Sequence, residues 1–204
     1  MNMNYNLKNL HRIGRFPKGT PPIVINLFGG PNAGKTTLGL MLTAAFKRSG
    51  AYVELAAEFA RDMVLENNHR ALACQPYILG HQIMRIERAI AAGADIVVTD
   101  SPPLLSCAYY NSPGVEMLAM EAHQKHKTIN LLLKRHPEHQ MFGRIHDEQQ
   151  SIEIDNEIMS ILKRNNVEFI LTDSDQEGQS IAFEQIFMHI EEHTHKNDAD
   201  FPTI

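Results

Sequence analysis

Cysteine is nearly absent from this chain. Cys74 and Cys107 are the only two in 204 residues. Both lie in apolar surroundings without metal-ligand spacing, which excludes a disulfide framework and fits a reducing compartment. No apolar run approaches the roughly 18 residues needed to span a bilayer. The N-terminus carries Asn2, Asn4, Asn6 and Asn9 where a signal peptide would have an apolar core. A cytoplasmic protein is expected. Internal repeats and low-complexity segments are also missing. The net charge of −5 argues against a surface devoted wholly to nucleic acid. The charge is uneven, however: residues 1–20 hold Lys8, Arg12, Arg15 and Lys18 and no acid. Such a basic arm reads as a solvated extension or as a contact for phosphates.

What is present suits one α/β domain, with 43% hydrophobic and 21% charged residues. Its most informative segment is Gly29-Gly30-Pro31-Asn32-Ala33-Gly34-Lys35-Thr36, which matches the G-x-x-x-x-G-K-[ST] phosphate-binding loop at every fixed position. The apolar, β-branched run 23–28 before it reads as a buried parallel strand. The helical pattern from Thr37 stops near Gly50. Strand, glycine loop and helix in that order let backbone N–H groups and a helix N-terminus surround a polyphosphate. Lys35 is then expected at the β- and γ-phosphates and the Thr36 hydroxyl on Mg²⁺, with Thr37 completing the loop. The sequence implies binding of a nucleoside triphosphate.

Strand and helix patterns alternate along the rest of the chain. Further strands are expected at 51–55, 94–100, 128–133 and 167–172. Helices are expected from 58 to 66, 77 to 92, 116 to 126, 148 to 165 and 180 to 192, with Pro76 interrupting the stretch before the second of these. Five short apolar strands separated by helices imply a doubly wound parallel sheet covered on both faces, a three-layer α/β fold. The expected organisation is a basic arm at 1–20, one domain at 21–192 with a lid around 134–150, and a flexible tail at 193–204.

Several other residues are candidates for chemistry. Asp100 ends the third strand, at the sheet edge where ligands bind in such folds. An acid there can hold Mg²⁺ or accept the proton of an attacking hydroxyl. Glu58, Arg61 and Asp62 share a helical face after the second strand, and Glu58 and Arg61 lie nearer the crevice. Gln82 sits mid-helix among apolar neighbours, where a nucleobase edge would satisfy its amide; a surface glutamine is the competing reading. Arg135 and Arg144 lie in a basic, histidine-rich loop able to close over a triphosphate and neutralise charge in transfer. His136, His139 and His146, like His189, His193 and His195, lack the spacing of a metal site.

Taken together, these residues resemble a family. The loop at 29–36, Glu58-Phe59-Ala60-Arg61, Gln82, Val97-Val98-Thr99-Asp100-Ser101-Pro102 with Leu104-Leu105-Ser106 and Tyr109-Tyr110, and Gly143-Arg144 are similar to small phage and bacterial P-loop kinases. These are related to the ribosylnicotinamide-kinase domain of NadR and are often filed as AAA-type ATPases. The resemblance spans roughly residues 22–172. It implies the nucleoside- and nucleotide-kinase fold, with ATP and Mg²⁺ as cofactors and transfer of the γ-phosphate to a nucleoside-like hydroxyl. In that frame Lys35, Asp100, Glu58 and Arg144 are the expected catalytic residues, and Gly29 to Thr37, Arg135 and Arg144 bind the nucleotide. Arg61 and Gln82 are expected to bind the acceptor. Thr36 and Asp100 are expected to hold the metal. Some phage members phosphorylate 5-hydroxymethyluracil in DNA, so such DNA, in host cytoplasm, is the first specific acceptor expected. A small-molecule nucleoside kinase and a non-transferring NTPase switch are the alternatives. Two features depart from relatives: Ile145-His146-Asp147 stands in the lid, and Ser101 follows Asp100 where deoxynucleoside kinases carry arginine.

Overall fold

The computed structural model describes residues 13–134, 148–173 and 175–198. Five strands, β1 (Ile23–Phe28), β2 (Val53–Ala56), β3 (Ile96–Thr99), β4 (Lys127–Lys134) and β5 (Ile170–Asp173), form one sheet in the order β2-β3-β1-β4-β5. Every pairing is parallel. Each crossover runs through helix: α1 (Lys35–Arg48), α2 (Phe59–Leu65), α3 (His69–Leu72) and α4 (Gln75–Ala91) precede β3. A 3₁₀ turn (Pro103–Leu105), α5 (Ser106–Tyr109) and α6 (Pro113–Gln124) lead to β4, then α7 (Glu148–Arg164) and α8 (Gln176–Asp198) flank β5.

Central β1 is buried at all six positions, and its period of two sorts the layers. Ile23, Ile25 and Leu27 pack against Leu38, Leu42 and Phe46 of α1 and Ala182, Ile186 and Ile190 of α8. Val24 packs with Ile86 of α4, while Phe28 meets Leu79 of α4, Ala119 of α6 and Ile158, Ile161 and Leu162 of α7. A strand apolar on both faces must lie inside such a sandwich. Each of its large side chains contributes about 1.5–3 kcal/mol by burial. Asn26 is the polar exception, 1% exposed, and it donates to Asn130 of β4 at 2.9 Å.

Three expectations are corrected here. Pro76 lies in the first turn of α4 rather than ahead of the helix, because proline at a first-turn position has no helical N–H to forfeit. Helix α8 continues past His193 to Asp198, so the tail expected from that residue starts as helix. From Ile13 onward the basic arm packs on the domain. Phe16 is buried in the core beside α1 and α8, and Gly14 N–H donates to Ser49 C=O at 3.0 Å. Arg15 pairs with the buried Asp95 at 2.7 Å, donates to Gly93 C=O and lies 5.0 Å over the Tyr52 ring. Asp95 and Tyr52 precede β3 and β2, so Arg15 is held at the edge of the sheet opposite the glycine loop. Lys8 and Arg12 lie outside the described residues. Among the described residues no helix is long and apolar enough to cross a membrane.

Candidate functional site

Because β1 and β3 are parallel neighbours, with Asn26 level with Thr99, the loop after one strand and the acid after the other emerge side by side. The loop has the backbone its glycines allow. Gly29 sits at φ 142°, and a Cβ there would come 2.8 Å from the Ala33 Cβ and 3.2 Å from Leu133 C=O. Gly34 caps α1 in the left-handed region at φ 82°. No side chain caps the helix, no acid lies in its first turn, and Lys35 opens it. An uncapped helix start carrying a cation is locally unfavourable unless an anion completes it. Among P-loop features, this is the one that marks a phosphate site physically.

The side chains converge on that point. Lys35 Nζ donates to the carbonyls of Gly29 at 2.7 Å and Gly30 at 2.8 Å. Thr36 Oγ1 donates to Asp100 Oδ2 at 2.6 Å. Asp100 is 2% exposed, and its other oxygen, Oδ1, is buried without a hydrogen-bond partner among the described residues. A buried carboxylate oxygen with no donor is costly in a finished core. Hydroxyl and carboxylate oxygens are the hard ligands that Mg²⁺ takes, so the donor set at Thr36 and Asp100 fits that ion.

Glu58 precedes α2 at the same sheet edge. Burial raises its pKa above the ordinary carboxylate value. Lys35 opposes the rise, Asp100 adds to it and Arg61 lowers it. The structure thus gathers Glu58, Lys35, Asp100 and Arg61 within one electrostatic neighbourhood. Asp62, in contrast, is engaged by Arg85, which also donates to Ala57 C=O at 2.8 Å and lies over the Phe59 ring.

Gln82 requires a correction, being neither a surface residue nor turned to a base. It is 2% exposed. Its Nε2 donates to Ala56 C=O and Thr99 Oγ1, both at 3.1 Å, and its Oε1 accepts from Phe59 N–H at 3.0 Å. One amide therefore ties the ends of β2 and β3 to the start of α2, where Glu58 sits. Gln82→Leu would keep the volume but leave buried groups unpaired. A loss of about 1–3 kcal/mol in urea unfolding is expected. An unchanged urea midpoint would instead favour a ligand-facing amide.

Asp155 was not legible as a site residue. Its Oδ1 accepts from Gly30 N–H at 2.6 Å, across 125 residues of chain. The only sequence signal is an acid bordering the apolar side of α7. Arg135, Arg144, His136, His139 and His146 fall outside the described residues, as does the His195 side chain. Among the described residues, no group of three His, Cys, Asp or Glu could hold a metal.

The chain is 30% identical over 129 residues to the plasmid RecA protein of Lactococcus lactis subsp. lactis, a match covering 59% of this chain and 36% of that one. It thus spans about a third of that relative's length. Among solved structures it resembles NadR protein in complex with NR, with a TM-score of 0.65 and 18% identity over 85% of this chain and 52% of that chain. It also resembles thymidylate kinase from Ehrlichia chaffeensis, with a TM-score of 0.58 and 13% identity over 81% of this chain and 99% of that one. These likenesses establish the five-stranded parallel P-loop fold expected from the strand pattern. A family model described as AAA domain matches residues 24–178, from β1 to the first turn of α8. That stretch contains the glycine loop, Glu58, Asp100 and Asp155, and the chain belongs to the AAA domain family.

Proposed function

We propose that this protein is an ATP-dependent kinase that transfers the γ-phosphate to a hydroxyl of a nucleoside-like small molecule. The observation that carries the reading is Glu58: a half-buried carboxylate at the sheet edge, its pKa raised, within electrostatic reach of both Lys35 and Asp100. Phosphoryl transfer to an alcohol needs such a base at the phosphate loop. Hydrolysis needs a group that activates water beside the strand-end acid, and Ser101 occupies that position here.

In this mechanism the loop amides and Lys35 bind the β- and γ-phosphates. The acceptor oxygen attacks the γ-phosphorus, the bond to the β-bridging oxygen breaks, ADP leaves, and the hydroxyl proton passes to Glu58. Thr36 and Asp100 would hold Mg²⁺, which supplies positive charge to the phosphate oxygens when bound. Arg61 orients the acceptor, and Arg135 and Arg144 neutralise charge on the transferring group. The names of the two structural neighbours, NadR with NR and thymidylate kinase, support an acceptor of nucleoside character. Nothing in them points to a polymer, and Arg15 is already engaged at the far edge.

The test is incubation with labelled ATP and a panel of nucleosides, nucleotides, and plain or 5-hydroxymethyluracil-bearing DNA. Label in a free nucleoside or nucleotide is expected. Label in DNA alone would shift the acceptor to a polymer, and phosphate release with no labelled acceptor would make the protein an NTPase.

Glu58 also gives a prediction with a definite sign. A carboxyl whose pKa is raised on folding holds its proton more tightly in the native state, so its contribution to stability is full below the unfolded value. It is lost as pH rises through the folded value. Glu58→Gln should therefore raise the melting temperature at pH 8, with the gain shrinking toward pH 4, while transfer falls by about 10²–10⁴-fold. Wild-type activity should have an acidic limb above the ordinary glutamate range, and the variant should lack it. An unchanged pH–rate profile in Glu58→Gln would move the base elsewhere.

A further inference from the structure

We infer that Asp155 is a positioning residue for the phosphate loop, acting on Lys35 through the peptide that joins Gly29 to Gly30. The C=O of Gly29 and the N–H of Gly30 belong to one planar unit and point in opposite directions. Asp155 Oδ1 takes the N–H at 2.6 Å while Lys35 Nζ takes the C=O at 2.7 Å. The peptide thus lies between a carboxylate and an ammonium. Each contact is charge-assisted, and both polarise the peptide in the same sense: donation to the carboxylate makes the carbonyl a better acceptor for the lysine.

The arrangement answers a specific problem in this loop. A Gly-Gly peptide is the least restrained pair the chain can contain. No side chain can be added at Gly29 to restrain it, because Ala33 Cβ and Leu133 C=O occupy that space. The direction of the Gly29 carbonyl, and with it one of the two backbone anchors of Lys35, has to be set from outside the loop. Asp155 is suited to this because α7 is a rigid support: Ile158, Ile161 and Leu162, each at most 1% exposed, pack with Phe28 at the end of β1. The carboxylate therefore stands on the same packed unit as the strand that feeds the loop. Without it the peptide is free to rotate, and the ammonium loses its fixed direction toward a phosphate. This inference rests on the proposed function only in that the loop binds ATP.

The test is a double-mutant cycle of Asp155→Ala and Lys35→Met, read by equilibrium binding of labelled ATP. Asp155→Ala alone should weaken binding by ~10-fold, the scale of one lost charge-assisted hydrogen bond. In the Lys35→Met background the same change should weaken it by less than ~2-fold, because the group it positions is gone. Equal losses in both backgrounds would overturn the inference and leave Asp155 a purely structural contact. If Asp155→Ala does not fold, Asp155→Asn carries the same cycle, with a smaller loss that must again vanish in the Lys35→Met background. Amide hydrogen exchange at Gly30 adds a readout free of nucleotide. Lys35→Met should accelerate exchange there, as Asp155→Ala does, although the Lys35 contacts to the loop described above are to carbonyls and not to this N–H. Unchanged exchange at Gly30 in Lys35→Met would sink the through-peptide link. A wild-type protein that binds ATP yet labels no acceptor refutes the kinase reading and leaves the cycle intact.

Discussion

Lys35→Ala is expected to reduce phosphoryl transfer by at least ~10²-fold at saturating ATP, the scale seen when one preorganised contact to developing charge is removed. Lys35 opens α1, and its two carbonyl partners hold the ammonium over the loop. Arg61, on α2, shares the electrostatic neighbourhood of Glu58, but the hydrogen bonds to the loop carbonyls are those of Lys35. The fold should survive. The side chain is only partly buried, the helix face that enters the core is Leu38, Leu42 and Phe46, and alanine is the best helix former. Circular dichroism and urea unfolding should match wild type within about 1 kcal/mol. Near-normal transfer by the variant would remove the phosphate-loop assignment.

Asp100→Asn should produce the second large loss, about 10²–10³-fold in Mg²⁺-dependent transfer. Asparagine keeps the shape and leaves an oxygen to accept from Thr36, so the 2.6 Å contact has a replacement. What changes is Oδ1, without a hydrogen-bond partner among the described residues, an anionic oxygen suited to a hard cation, which becomes an amide nitrogen. The informative measurement is activity against Mg²⁺ concentration beside the melting temperature. A raised Mg²⁺ requirement at unchanged melting temperature fits a metal ligand. Unfolding of the variant would mark Asp100 as structural.

How far the chain declares these residues in its own sequence depends on the distance over which each acts. The loop at 29–36 was legible because its chemistry is local: glycines for the backbone, lysine and threonine for the ligand, all within eight residues. Asp100 was legible because it ends a β-branched run, and strand ends in parallel sheets share one edge. Element boundaries were less so. Pro76 suggested an interruption, since composition cannot say whether a proline falls inside a helix or at its first turn.

Gln82 shows where such reading stops. A mid-helix amide among apolar neighbours demanded a partner, and that much was correct. The partner turned out to be three segments of the chain itself, Ala56, Phe59 and Thr99, because α4 packs under the ends of β2 and β3. Arg15 was one of four charges in a basic arm, and only packing revealed that Asp95 holds it far from the loop.

By itself, then, the sequence determined what periodicity and short motifs encode: five short strands, the helices between them, a glycine loop between the first strand and helix, and an acid at a strand end. The tertiary structure alone decided the sheet order that sets Asp100 beside Thr36 and the burial that raises Glu58. It also decided the approach of α7 that brings Asp155 to Gly30. The physical reason is that backbone preference and amphipathic pattern act over a few residues and leave a trace in composition. Hydrogen bonds between residues 64 and 125 positions apart depend on strand register and helix packing, which emerge only when the whole core closes.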